Sequence, residues 1–113
     1  MARAGRIEIS EQVQGETVTL SIEGELDLST IPVVERQVDA SIGGSKASEL
    51  KVDLSDVSFM DSSGLRLLIE LCRRAQEEGW RISLTAPRHE AATLVLRMTG
   101  ADAALPFVQA PPP

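Results

Sequence analysis

Apolar and polar residues alternate from the first strand-like stretch of the chain onward. In "RIEISEQV", Ile7, Ile9 and Val13 alternate with polar neighbours, with Glu11 breaking the pattern once. "ETVTLSIEGELDL" alternates more cleanly through Val18, Leu20 and Ile22. A period of two over such lengths predicts strands with one wet face. Gln14, Gly15 and Glu16 supply the turn, so the chain is expected to open on an antiparallel hairpin.

The period then lengthens. Ser29 or Thr30 can cap a helix, Pro32 fits its first turn, and Ile31, Val34, Val38 and Ile42 recur at helical spacing until Gly43-Gly44. "ELKVDLSDV" predicts a short strand carrying Leu50, Val52 and Leu54. A long helix is expected over about 63–78, ended by Gly79. Its Leu65, Leu68, Leu71, Cys72 and Ala75 fall on one side, and Arg66, Glu70, Arg73, Arg74, Glu77 and Glu78 on the other. "WRISLTAP" is the next strand, stopped by Pro87. "HEAATLVLRMTG" predicts a third helix, with Ala91, Leu94, Val95 and Met98 at i, i+3, i+4 and i+7 and Gly100 as its stop. "LPFV" is a candidate last edge strand, and 109–113, "QAPPP", a disordered proline-rich tail.

The order β-β-α-β-α-β-α-(β) predicts an α/β fold with a single mixed sheet of four to five strands. An antiparallel hairpin opens it, parallel crossovers follow, and helices pack against it. With 113 residues there is room for one domain, taken as 1–108. Only 3% of residues are aromatic, so the core must be built from Leu, Ile, Val and Ala.

Charge narrows the choice of partner. The formal net charge is −6, and the pI lies near 4.7. Nucleic acid and anionic membrane surfaces are disfavoured, because both require a basic face. The single cysteine, Cys72, rules out an internal disulfide and fits a cytosolic compartment. The start, "MARAGRIEIS", lacks an apolar run, and no stretch approaches the ~20 apolar residues of a membrane-spanning helix. A cytoplasmic, soluble domain is the expectation.

Catalytic chemistry finds little support. His89 is the only histidine and Cys72 reads as a small buried hydrophobe, so neither a metal site nor a Ser-His-Asp device is expected. There is no phosphate-binding glycine loop, and neither an enzyme nor a cofactor is expected. Asp53, Asp56 and Asp61 are expected at or beyond the C-terminal end of the third strand, where α/β sheets place their sites. The only lysines, Lys46 and Lys51, both precede them, which favours loop solvation and capping over phosphoryl acceptance.

The tetrapeptide D-S-S-G, Asp61 to Gly64, has two readings. Ser62 and Ser63 are helix caps, with Ser63 worth about 1 kcal/mol in that role, or one of them is a hydroxyl held out for another molecule. Leu67 falls among the charged residues of the same helix. It is either an apolar anchor for a partner or a leucine tucked under a neighbouring loop.

"GELDLST" (24–30), "VDLSDVSFMDSSGLRLLIEL" (52–71) and "LRMTGA" (96–101) together resemble the STAS domain. The resemblance is to bacterial anti-anti-sigma factors (anti-sigma factor antagonists) in particular, and it runs over about 7–108. It implies the STAS fold, and a protein that binds an anti-sigma factor and so frees a sigma factor. It also implies that the second serine, Ser63, is phosphorylated by that partner, itself a serine kinase, and restored by a separate Ser/Thr phosphatase. Asp27, from the G-E-L-D loop, is implied to lie near Ser63, and Asp61, Ser62, Gly64, Leu65 and Leu67 to join it on the partner-facing surface of a monomer. A helix N-terminus there is expected to tolerate the phosphate. The alternative is a STAS scaffold subunit of a larger signalling or transporter assembly. The chain departs from the family pattern at Ala101, where a larger apolar residue is usual, and in "ALPFVQAPPP", which is too short for a final helix.

Overall fold

The hairpin forms as the alternation requires. In the computed structural model, which describes residues 6–43 and 47–108, β1 (Ile7–Gln14) pairs antiparallel with β2 (Thr17–Leu26). The two-residue turn between them places Gly15 at φ 60°, a conformation that costs glycine little. Then follow α1 (Ile31–Gly43), β3 (Glu49–Met60), α2 (Ser62–Glu78), β4 (Arg81–Thr85), α3 (Glu90–Thr99), the single turn α4 (Ala101–Ala104) and β5 (Phe107–Val108). The strands lie in the order β1-β2-β3-β4-β5, and every pair after the hairpin is parallel. "LPFV" does supply the edge strand. Gly44 and the 109–113 tail lie outside the described residues.

The core explains the layering. Leu20, Ile22, Leu50, Val52, Leu54 and Leu84 of the sheet share one buried cluster with Val34 and Val38 of α1, Leu68 and Leu71 of α2, and Ala92 and Leu96 of α3. These strand residues occupy alternate positions, so the helices cover one face. Thr19, Ser21, Lys51, Asp53, Ser83 and Thr85 stand on the opposite, wet face.

Two elements depart from their sequence patterns. β3 is longer than its apolar run and continues to Met60, because β2 keeps pairing with it through Gly24↔Val57 and Leu26↔Met60. Irregularities between Ser21 and Glu23 and between Gly24 and Glu25 move the inward positions to Val57 and Met60. Asp53 and Asp56 therefore sit inside β3 and not beyond its end, and only Asp61 follows it. In α3, Leu94 and Met98 face water, at 47% and 78% exposure, while Ala92 and Leu96 are buried. The small Ala92 side chain lets that helix approach the sheet closely. Cys72 is half-buried, and burial pushes its thiol pKa upward. Among the described residues, no helix is long and apolar enough to cross a membrane.

Candidate functional site

Parallel register brings two loops together. Leu26 ends β2, Met60 ends β3, and the two are partners across the ladder. Asp27 and Asp61 each follow that pair by one residue, so the chain leaves the same end of the sheet twice, first into α1 and then into α2. The Asp61 amide donates to the Leu26 carbonyl at 3.4 Å. A Cβ on Gly64 would lie 2.6 Å from that carbonyl oxygen and 2.8 Å from Met60 Cγ, which is why the first turn of α2 needs a glycine there.

Each aspartate holds its own loop. Asp61 is the N-cap of α2: its carboxylate accepts from the Ser63 amide at 2.9 Å and the Gly64 amide at 3.2 Å. The expectation that Ser62 or Ser63 caps this helix is corrected, because both already lie inside it. Asp27 accepts from the Ser29 hydroxyl at 2.6 Å, the Ser29 amide at 3.0 Å and the Thr30 amide at 3.2 Å. These bonds, led by the Ser29 hydroxyl, outweigh a partial desolvation and hold the Asp27 carboxyl below the usual carboxylate range. Thr30 is buried; its hydroxyl donates to the Glu25 carbonyl at 2.8 Å and accepts from the Asp27 amide at 3.0 Å. The turn so fixed holds Leu28 out into water, 76% exposed.

Between these loops runs a groove of about 190 Å³, lined by Leu28, Ile31, Glu35, Ser63, Arg66, Leu67 and Glu70. Ser63 is half-buried, and its hydroxyl has no hydrogen-bond partner among the described residues. Ser62 is exposed and lies outside the groove. Gly64 and Leu65 are buried, as is Leu67 at 4% exposure, so neither leucine projects as an anchor. Leu67 is the tucked leucine of the two readings: it is buried where α1 and α2 meet, at the floor of the groove. The exposed apolar group here is Leu28. Sequence reasoning missed Leu28, Ile31, Glu35, Arg66 and Glu70; the available signal was a leucine in "DLST", between a strand and a helix, that neither periodicity claims.

The remaining carboxylates serve separate local purposes. Asp53 accepts from the Ser55 amide at 2.9 Å, Asp56 pairs with Arg88 at 2.8 Å, and Asp61 caps α2. Among the described residues, no three His, Cys, Asp or Glu side chains converge to hold a metal.

A family model described as "Mlab, STAS domain" matches residues 9–109. The chain belongs to the STAS domain family. This STAS chain is 31% identical, over 77 residues, to the anti-sigma F factor antagonist of Lysinibacillus sphaericus; the match covers 68% of this chain and 66% of that relative's length. It resembles the crystal structure of an anti-sigma factor antagonist from Mycobacterium paratuberculosis at 26% identity and a TM-score of 0.76, covering 90% of this chain and 85% of that one. It also shares its fold with the Bacillus cell fate determinant SpoIIAA in the phosphorylated form, at 24% identity and a TM-score of 0.65, covering 96% and 92% of the two chains. The relatives are thus anti-sigma factor antagonists, built as a mixed sheet with helices packed against it.

Proposed function

We propose that this STAS chain is an anti-sigma factor antagonist. It docks an anti-sigma factor serine kinase on the groove beside α2, frees the sigma factor that kinase had held, and is switched off when Ser63 is phosphorylated. The reading is supported by the antagonists among its relatives and by the existence of a phosphorylated form of one of them. One observation carries it: the Ser63 hydroxyl, half-buried and without a partner among the described residues, lines a groove beside the exposed Leu28.

In the transfer, Ser63 Oγ attacks the γ-phosphorus of ATP held by the kinase. An O–P bond forms, the bond to the β-phosphate oxygen breaks, ADP leaves, and the serine proton passes to a base of the kinase. The chain itself is the substrate. The new group carries about −1.5 to −2 charges at pH 7. It arrives in a groove that already holds Glu35 and Glu70, two residues after the Asp61 carboxylate. A hydrated anion there displaces apolar contact at Leu28, and like charges across an interface cost several kcal/mol. A loss of about a hundredfold in affinity needs only about 2.7 kcal/mol. A separate Ser/Thr phosphatase restores the hydroxyl.

Phosphosite mass spectrometry after co-expression with a candidate anti-sigma kinase tests the reading. Phosphate on Ser63 is the expected result; phosphate confined to Ser62, or none, overturns it. The exposed Leu94 and Met98 favour a second reading, a STAS subunit within a larger assembly. That role predicts elution in a large complex that Met98→Glu disrupts.

A further inference from the structure

A phosphate on Ser63 needs a counter-charge, and the start of α2 does not offer one freely. The Ser63 and Gly64 amides both already bond the Asp61 carboxylate, and the Leu65 amide bonds the Asp61 carbonyl. The helix N-terminus that would ordinarily receive the anion is therefore occupied by an anion of the protein's own. The side chains lining the groove add Glu35 from α1 and Glu70 from α2. Arg66 is the single cation among them.

Arg66 also forms no direct ion pair among the described residues. On α2, Arg73 pairs with Glu70 at 2.6 Å and with Glu77 at 2.5 Å, and Arg74 pairs with Asp39 at 2.8 Å and Glu78 at 3.1 Å. Arg66 acts by its charge on Glu70 at a distance, while the Glu70 carboxylate is bonded to Arg73. It lies three residues after Ser63 and lines the same groove. Side chains three apart on a helix stand roughly 5–6 Å from each other at Cβ, within reach of a guanidinium and a phosphate.

We propose that Arg66 is the counter-ion of the phosphate on Ser63: the modified side chain turns along α2 onto the guanidinium, and the pair fills the groove that the unmodified protein offers to its partner. The proposal rests on Ser63 as the modified residue. It gives the phosphate a second effect beyond repulsion, the withdrawal from the docking face of the one α2 arginine that forms no ion pair among the described residues.

The test uses the full chain carrying phosphoserine installed at position 63 during synthesis, so that no kinase is involved. The second ionisation of the phosphate is followed by ³¹P NMR in the otherwise wild-type chain, in Arg66→Lys and in Arg66→Gln. An adjacent cation favours the dianion, so the midpoint in Arg66→Gln is expected roughly 0.5 pH unit above the wild-type value, with Arg66→Lys between them. In the wild-type background, the Arg66 Nε–H resonance is expected to shift and to exchange more slowly once Ser63 is phosphorylated. Coincident midpoints, or an Arg66 signal indifferent to the phosphate, overturn the proposal. Partner binding is measured separately on the same phosphorylated chain. Arginine contact without loss of binding would leave the clamp standing and defeat partner switching; loss of binding without arginine contact would do the reverse.

Discussion

At the scale of single residues, the two halves of D-S-S-G divide the work. Asp61 caps the helix, while the Ser63 hydroxyl makes no hydrogen bond among the described residues and is the proposed site of modification. Asp61→Ala removes the acceptor for two amides and is expected to lower stability by about 1–2 kcal/mol. Ser63→Ala removes a hydroxyl with no hydrogen bond among the described residues and is expected to stay within about 0.5 kcal/mol of wild type. Urea denaturation followed by fluorescence of the buried Trp80 measures both, and equal losses would contradict this division. The Ser63→Ala protein should also remain bound to the kinase when ATP is added. Gly64→Ala is expected to be the costliest change of the segment, about 1–3 kcal/mol, because its methyl meets the Leu26 carbonyl at 2.6 Å and backbone cannot give way as a side-chain tip would. A Gly64→Ala protein as stable as wild type would show that the close approach of α2 to the end of β2 is dispensable.

At the scale of elements, alternation predicted the hairpin, and helical spacing predicted α1 and α2, because each has an apolar face against one core. The same reasoning stopped β3 too early, at Val57: Phe59 and Met60 are strand through their pairing with Glu25 and Leu26 of β2. It also misjudged the faces of α3 and left the exposure of Leu67 open, since burial there depends on which helix lies alongside. Of the candidate site, motif resemblance singled out Asp27, Asp61 and Ser63, while Arg66 and Leu28 entered only with the groove between α1 and α2. The turn before α1 has a titration consequence. Hydrogen bonds hold the Asp27 carboxyl below its ordinary pKa, so its contribution to stability is complete above the unfolded value, near pH 4, and is lost as pH falls through the lower folded value. Asp27→Asn keeps an acceptor for the Ser29 and Thr30 amides but cannot ionise. Between pH 5 and about pH 2.5 the wild-type melting temperature is therefore expected to fall more steeply than that of Asp27→Asn. Parallel slopes would show that the Ser29 and Thr30 bonds do not favour the ionised form.

At the scale of the whole molecule, three helices share one continuous core on one face of the sheet, and the groove lies where α1 and α2 meet at its edge. Leu20, Leu54, Leu68 and Leu84 of that core are almost completely buried, and a close-packed interior does not deform continuously. On the reading proposed above, a charge at Ser63 acts without flipping a distant element. Its effect is then felt by whatever docks, which separates the proposed switch from one that relays a change of fold. Ser63→Glu is the direct probe. Its affinity for the anti-sigma partner is expected to fall about a hundredfold by titration calorimetry, while its melting temperature stays within about 2 °C of wild type, the shift that a few tenths of a kcal/mol produces in a domain of this size. Amide shifts should be confined to 27–35 and 61–70, leaving Leu96 in α3 and Phe107 in β5 in place. Shifts that spread into α3 and β5 would mean that the helices rearrange, and the release of the partner would then have to be explained by two conformations of this chain instead of by charge at one surface.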